Sequence, residues 1–84
     1  MTDVTLTLLF PITDGEGKPL NELKIRRPKV KDIRNMKGST EIEQSISLIS
    51  IATGLVPEDI DELDIADFKR VSEVVEKMQK GKLN

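Results

Sequence analysis

Two short strand-like runs come first and everything after them is patterned for helix, and this order constrains the fold most. Residues 4–10, Val-Thr-Leu-Thr-Leu-Leu-Phe, place Val4, Leu6, Leu8 and Phe10 on one face of a half-buried strand. Pro11 closes that strand, and Thr13-Asp14-Gly15-Glu16-Gly17-Lys18-Pro19 is dense in turn formers. A second strand is predicted over about 20–26, where Leu23 and Ile25 alternate with Glu22, Lys24 and Arg26. Runs so close in sequence pair most economically as an antiparallel hairpin. A hairpin alone is marginal in water, so helices must cover its apolar face or another chain must extend its edge.

Pro28 suits the first position of a helix running to about Lys37, with Val30, Ile33 and Met36 facing inward and Gly38 breaking it. Thr40 and Glu43 form a T-x-x-E capping box that opens a stronger helix through about Thr53. Ile42, Ile46, Ile49 and Thr53 share a stripe, and Leu48, Ile51 and Ala52 widen it, so this helix is expected to be buried on more than one side. Gly54 is placed to end it. Pro57 starts a short helix with Glu58 and Asp59 in its first turn, where acids suit the helix dipole, although Val56 is a weak N-cap. Asp64 caps a last helix, and Leu63 and Phe68 have the spacing of a hydrophobic staple. Ile65, Phe68, Val71, Val75 and Met78 recur at helical intervals before Gly81. The expectation is α+β: one domain over 1–84, an N-terminal antiparallel β-hairpin at about 4–26, three to four α-helices over 28–80, and a frayed tail over 81–84. A chain of 84 residues encloses only one core. It carries no internal repeat and no low-complexity segment.

Chemistry is scarce. Cys, His, Trp and Tyr are all absent, which removes thiolate and imidazole metal sites, the commonest acid/base residue, and most aromatic stacking on bases or sugars. Asp59, Asp61, Glu62, Asp64 and Asp67 cluster, but a calcium loop counted from Asp59 puts Leu63 at a ligand position and Asp64 where the bend needs Gly. These acids therefore read as solvated caps of two helix starts. Ser39, Ser45, Ser47, Ser50 and Ser72 have no His to activate them and no Ser-x-x-Lys spacing. Neither glycine-rich phosphate-binding pattern occurs. No catalytic, cofactor-binding or metal-ligating residue is expected, and the chain reads as a non-enzyme. Met1-Thr2-Asp3 opens into the first strand without the features of a secretory signal, and no apolar run is long enough for a bilayer, which points to the cytoplasm and away from membranes.

The net charge of −2 hides a segmented pattern. Residues 18–37 hold eight bases against Glu22 and Asp32, whereas residues 41–67 hold eight acids and no base. Such blocks face each other across a folded surface or in a neighbouring copy. The competing reading is a small DNA-binding regulator that uses 24–37, with Lys24, Arg26, Arg27, Lys29, Lys31 and Arg34 on phosphates and the helices around Gly38 in helix-turn-helix outline. Its recognition helix would begin Thr40-Glu41-Ile42-Glu43, with acids where DNA should be met, so electrostatics argue against nucleic acid as partner.

The order of short motifs carries more. Leu23-Lys24-Ile25-Arg26-Arg27-Pro28 is followed by Val30 and Asp32, then Leu48-Ile49, Ala52-Thr53-Gly54-Leu55, Pro57-Glu58-Asp59-Ile60, Leu63-Asp64 and Asp67-Phe68. Over about residues 4–75 this resembles the tail assembly chaperone family of Mu-like contractile-tailed phages and prophages, the E-protein type. The chain departs from that pattern at Val56, where a small hydroxyl residue is usual, and at Phe68, where Tyr is common. The resemblance implies a non-enzymatic protein of the bacterial host's cytoplasm, absent from the mature virion. It would bind the tape measure protein, a long and largely helical chain, and keep it soluble until tail-tube subunits polymerise around it. It also implies a longer, frameshifted form of the chain as a further partner, and no cofactor. A helical client needs an accessible apolar groove. Leu48, Ile51 and Leu55 on the flank of the strongest helix, with Val74 and Met78 on the last, are the candidate contacts. Arg26 and Arg27 are candidates for pairing with the acids of 58–67 in the same domain or in an adjacent subunit. With so small a core, the domain is expected to draw stability from a partner or from another copy, which makes a homo-oligomer a natural state.

Overall fold

The computed structural model describes residues 4–81, so the opening Met1-Thr2-Asp3 and all but Gly81 of the tail predicted to fray over 81–84 lie outside the described residues. Strands β1 (Val4–Thr13) and β2 (Pro19–Ile25) form a two-stranded antiparallel sheet. Four helices follow: α1 (Val30–Arg34), α2 (Glu41–Thr53), α3 (Pro57–Ile60) and α4 (Ile65–Gln79). The α+β plan of a hairpin followed by helices holds.

The first strand does not stop at Pro11. Its register runs from Val4 opposite Ile25 to Thr7 opposite Glu22, then resumes with Ile12 opposite Leu20. Residues 8–11 thus bulge out against Asn21 alone. A proline has no N–H to lose where the ladder is already interrupted, so the strand passes through it. The bulge also re-aims side chains. Leu8 is buried, but Phe10, predicted on the same face, is 54% exposed, beside Leu9 at 60%. At its far end β2 stops at Ile25, one residue short of the prediction, because the Arg26 N–H donates to the Ala52 carbonyl at the end of α2 (2.9 Å).

The core joins Leu8, Leu23 and Ile25 of the hairpin to Leu48, Ile49 and Ala52 of α2, to Ile60 and Leu63, and to Val71, Val75 and Met78 of α4. α2 packs against β2, α3 and α4, so it is buried on more than one side. Its first turn overhangs the core, however, and leaves Ile42 half exposed. Thr40 Oγ1 accepts the Glu43 N–H (3.2 Å) as the capping box requires. The Glu43 carboxylate reaches one residue further back than the box predicts, to the Ser39 N–H (3.0 Å) and hydroxyl (3.3 Å). Gly54 closes the helix in the left-handed region at φ 79°. Asp64 caps α4 by accepting the Ala66 N–H (3.0 Å), and the stripe Val71, Val75, Met78 is buried, whereas Ile65 at its start is 66% exposed.

The helix predicted from Pro28 to Lys37 shrinks to five residues, and its phase is the reverse of that predicted. Asp32 is the residue that turns inward, at 4% exposure, so Val30 and Ile33 project outward at 77% and 46%. Only Met36 packs against the core. The buried carboxylate fixes the rotation of so short a helix, and two exposed apolar residues follow from it.

Candidate functional site

Asp67, read as a solvated acid, is fully buried. Its Oδ1 accepts the Leu9 N–H (3.0 Å) and its Oδ2 the Phe10 N–H (2.9 Å), which are the donors that the β1 bulge frees. Arg70, one helical turn on, donates to Oδ1 (2.9 Å) and also to the Thr7 carbonyl (2.9 Å). Burial pushes this carboxyl up, but the two backbone N–H groups and the guanidinium outweigh it and leave the pKa below the ordinary carboxylate value. Two backbone donors of β1 and one guanidinium of α4 meet on this one side chain, so it holds a strand to a helix.

A second buried acid organises the strand-to-helix junction. Arg26 Nη1 and Nη2 meet Asp32 Oδ2 and Oδ1 as a two-point pair (2.9 and 3.0 Å), and the Lys29 N–H donates to Oδ2 (2.7 Å). The Arg26 hydrogen bond is the main reason that Asp32 titrates at about 2, with the Lys29 N–H second. Arg27 donates to the Met78 carbonyl (2.7 Å) and ties this junction to the last turn of α4. Within the domain, Arg26 thus meets Asp32 and Arg27 meets the end of α4.

These carboxylates give the domain an acid limit. Asp32, Asp67 and Glu43, the last drawn down first by the Ser39 N–H, bind fewer protons folded than unfolded. Their contribution is complete above the unfolded carboxylate range, roughly pH 4, and is lost as pH falls through the folded values, which for Asp32 is about 2. Urea midpoints measured at stepped pH should be flat from neutrality to about pH 5 and drop between about pH 4 and 2. A midpoint that holds steady to pH 2 would show that these contacts do not favour the charged forms.

Among the described residues, no group of three or more acids is placed to hold a metal ion, and no helix is long and apolar enough to cross a membrane. What the surface offers is apolar relief. One groove of about 190 Å³ runs between the first turn of α2, α3 and the start of α4. Ile60 and Leu63 are its buried floor, Ile46 and Phe68 are half-buried, Ile42 and Ile65 stand up from it, and its one charged lining residue is Asp61. A second groove, of about 280 Å³ between α2 and α4, has a floor of Leu48, Ile49 and Val75, each 5% exposed or less, under walls that include Ser45, Ser72, Glu73 and Glu76. It therefore mixes an apolar floor with polar and acidic walls.

The residues predicted to touch a client fall in different places. Leu48 and Met78 are core, at 5% and 2% exposure, while Ile51, Leu55 and Val74 are half-buried. The predicted residues do not converge on one exposed patch. The groove of Ile42 and Ile65 was missed because helical periodicity assigns both to the core. The run of acids from Glu41 to Asp64 was the available signal, since a helix start rich in charge seldom lies fully covered.

A small α+β domain whose buried acids are structural, and whose surface carries an apolar groove flanked by the exposed Ile42 and Ile65, belongs to the class of protein-binding domains. Residues 5–80 match the family model described as phage tail assembly chaperone proteins, E, or 41 or 14, and the chain belongs to that family. It is a tail assembly chaperone and not an enzyme. A DNA-binding role for 24–37 gives way to this assignment. No curated protein and no solved structure matched the chain.

Proposed function

We propose that the chain binds the tape measure protein and keeps it soluble until the tail tube forms around it, and that the groove of Ile42, Ile46, Ile65 and Phe68 takes one helical segment of that client. The observation that carries this reading is the clustering of two strongly exposed isoleucines, at 52% and 66%, over an apolar floor in a chain of this family. Isolated apolar residues on a surface are ordinary, whereas a contiguous patch with a floor is what an amphipathic helix fits. The acids beside the groove favour a client helix whose apolar stripe is flanked by Lys and Arg. The half-buried Ile51, Leu55 and Val74 are further contacts in this reading. The work is done in the host cytoplasm and ends when the tube closes, so the protein is absent from the finished particle, and a frameshifted longer form would carry the same groove.

Co-expression with a tape measure segment tests both parts. The unaltered chain should keep the segment in the soluble fraction, and Ile42→Asp with Ile65→Asp should return most of it to the pellet while thermal unfolding changes little. A client that stays insoluble beside the unaltered chain would overturn the function. A client held equally well by the double variant would overturn the groove. Val74→Asp in the same assay separates contact from core: a folded variant that loses the client marks a contact, and an unfolded one marks packing.

A further inference from the structure

Two apolar surfaces lie at opposite ends of α4 and carry opposite charge. The groove just described is at the N-terminal end, lined by Asp61 with Glu41, Glu62 and Asp64 at adjoining positions. At the C-terminal end an open depression of about 640 Å³ is formed by Val30 and Ile33 of α1 with Met36 and Met78, and its charged lining is Arg27 and Lys29 with, among the described residues, no acid. Lys31, Arg34 and Lys37 are exposed on and after the same short helix. Ile65 and Met78 are about 20 Å apart along the helix axis at 1.5 Å per residue. The Arg26–Asp32 pair holds α1 at its own end. One copy therefore cannot bring its α1 to its own groove.

We propose that a second copy of the chain does so: α1 of one copy seats Val30 and Ile33, an i, i+3 pair, in the groove of Ile42 and Ile65 on another. Lys29, Lys31 and Arg34 then stand against Asp61, Glu62 and Asp64. Both halves of the contact are exposed on the free chain, and their charges are complementary, which both steers and orients association. The contact is heterologous, so it either closes reciprocally in a pair or continues from copy to copy. It deepens the client reading by sharing its groove: a client segment with an apolar stripe and basic flanks competes with α1, and self-association keeps the groove covered until that segment arrives. The self-contact itself needs no client.

Sedimentation of the purified full chain tests it. The mass should exceed that of a monomer as concentration rises from micromolar towards millimolar, and should fall back when salt is raised well above physiological strength. Val30→Asp and Ile65→Asp each place an acid in a first helical turn, where it is tolerated, and circular dichroism checks that both variants stay folded. Each alone should be monomeric, and an equal mixture should recover a one-to-one complex, because one variant keeps the groove and the other keeps α1. An unaltered chain that is monomeric throughout, or variants that stay monomeric when mixed, would overturn the proposal. With no client present, that failure leaves the client reading intact. Conversely, Val30→Asp, whose groove is whole, should hold the client as well as the unaltered chain does.

Discussion

Replacing Asp67 with alanine is expected to lower the free energy of unfolding by about 3–5 kcal/mol, the cost of removing one partner from a buried charged network. The change strands three donors at once: the N–H groups of Leu9 and Phe10, and the Arg70 guanidinium that also holds the Thr7 carbonyl. The bulge has no strand partner to offer those N–H groups, so the loss is not made good locally. A domain of this size has about 4–13 kcal/mol in all, at 0.05–0.15 kcal/mol per residue, and the variant should be partly unfolded at 37 °C. Asp67→Asn should fall between, since the amide oxygen serves one N–H while its NH2 group opposes another donor. Arg70→Ala should cost less, because Asp67 keeps both backbone partners and the Arg70 side chain is partly solvated, at 34% exposure. Urea unfolding followed by circular dichroism gives the totals, and amide exchange at Leu9 and Phe10 gives the local effect. A loss below about 1 kcal/mol for Asp67→Ala would mean that water replaces the carboxylate and that the bulge is not held in this way.

The second large effect is expected at Gly38. A Cβ there would stand 2.5 Å from the Cβ of Glu43 and 3.0 Å from its carbonyl carbon, and the backbone sits at φ 115°, which L side chains rarely adopt. The obstacle belongs to the first turn of α2 and cannot swing aside as a flexible tip would. Gly38→Ala must therefore move the backbone, at about 1–3 kcal/mol of strain. That shift also opens the Ser39 and Thr40 contacts to Glu43 that begin α2, worth about another 1 kcal/mol. Thermal unfolding should show a clear fall, and Gly54→Ala at the other end of α2 is the control. Gly54 also has a positive φ of 79°, but nothing lies within 4 Å of the added atom, so its penalty should be the smaller of the two. Equal penalties would assign the Gly38 effect to backbone angle alone.

Much of this fold was legible because it rests on local signals. The Thr40 cap, Gly54, the Asp64 cap and the Val71–Val75–Met78 spacing each act within a turn of helix, and each is where the pattern puts it. What was not legible depends on partners far along the chain. Pro11 ends a strand by every local rule, and only an acid from α4, holding Leu9 and Phe10, makes it the last residue of a bulge through which the strand continues. Val30 and Ile33 have inward spacing, and only the grip of Arg26 on Asp32 rotates them out. The candidate groove follows the same logic. Helical periodicity marks Ile42 and Ile65 as apolar, but whether a neighbour covers the first turn of α2 or α4 is a matter of where other elements stop.

The Asp67 clamp also has a consequence for biosynthesis. β1 leaves the ribosome before α4, and the acceptors that fix its bulge arrive 57 residues after Phe10. At 5–20 residues per second this is an interval of about 3–11 s. During that time the Asp14 turn can already set the hairpin register, but the bulge donors of Leu9 and Phe10 have no acceptor from α4. The nascent strand with its exposed Leu9 and Phe10 is then open to pairing with other chains. The strand is made before the acid that fixes its bulge.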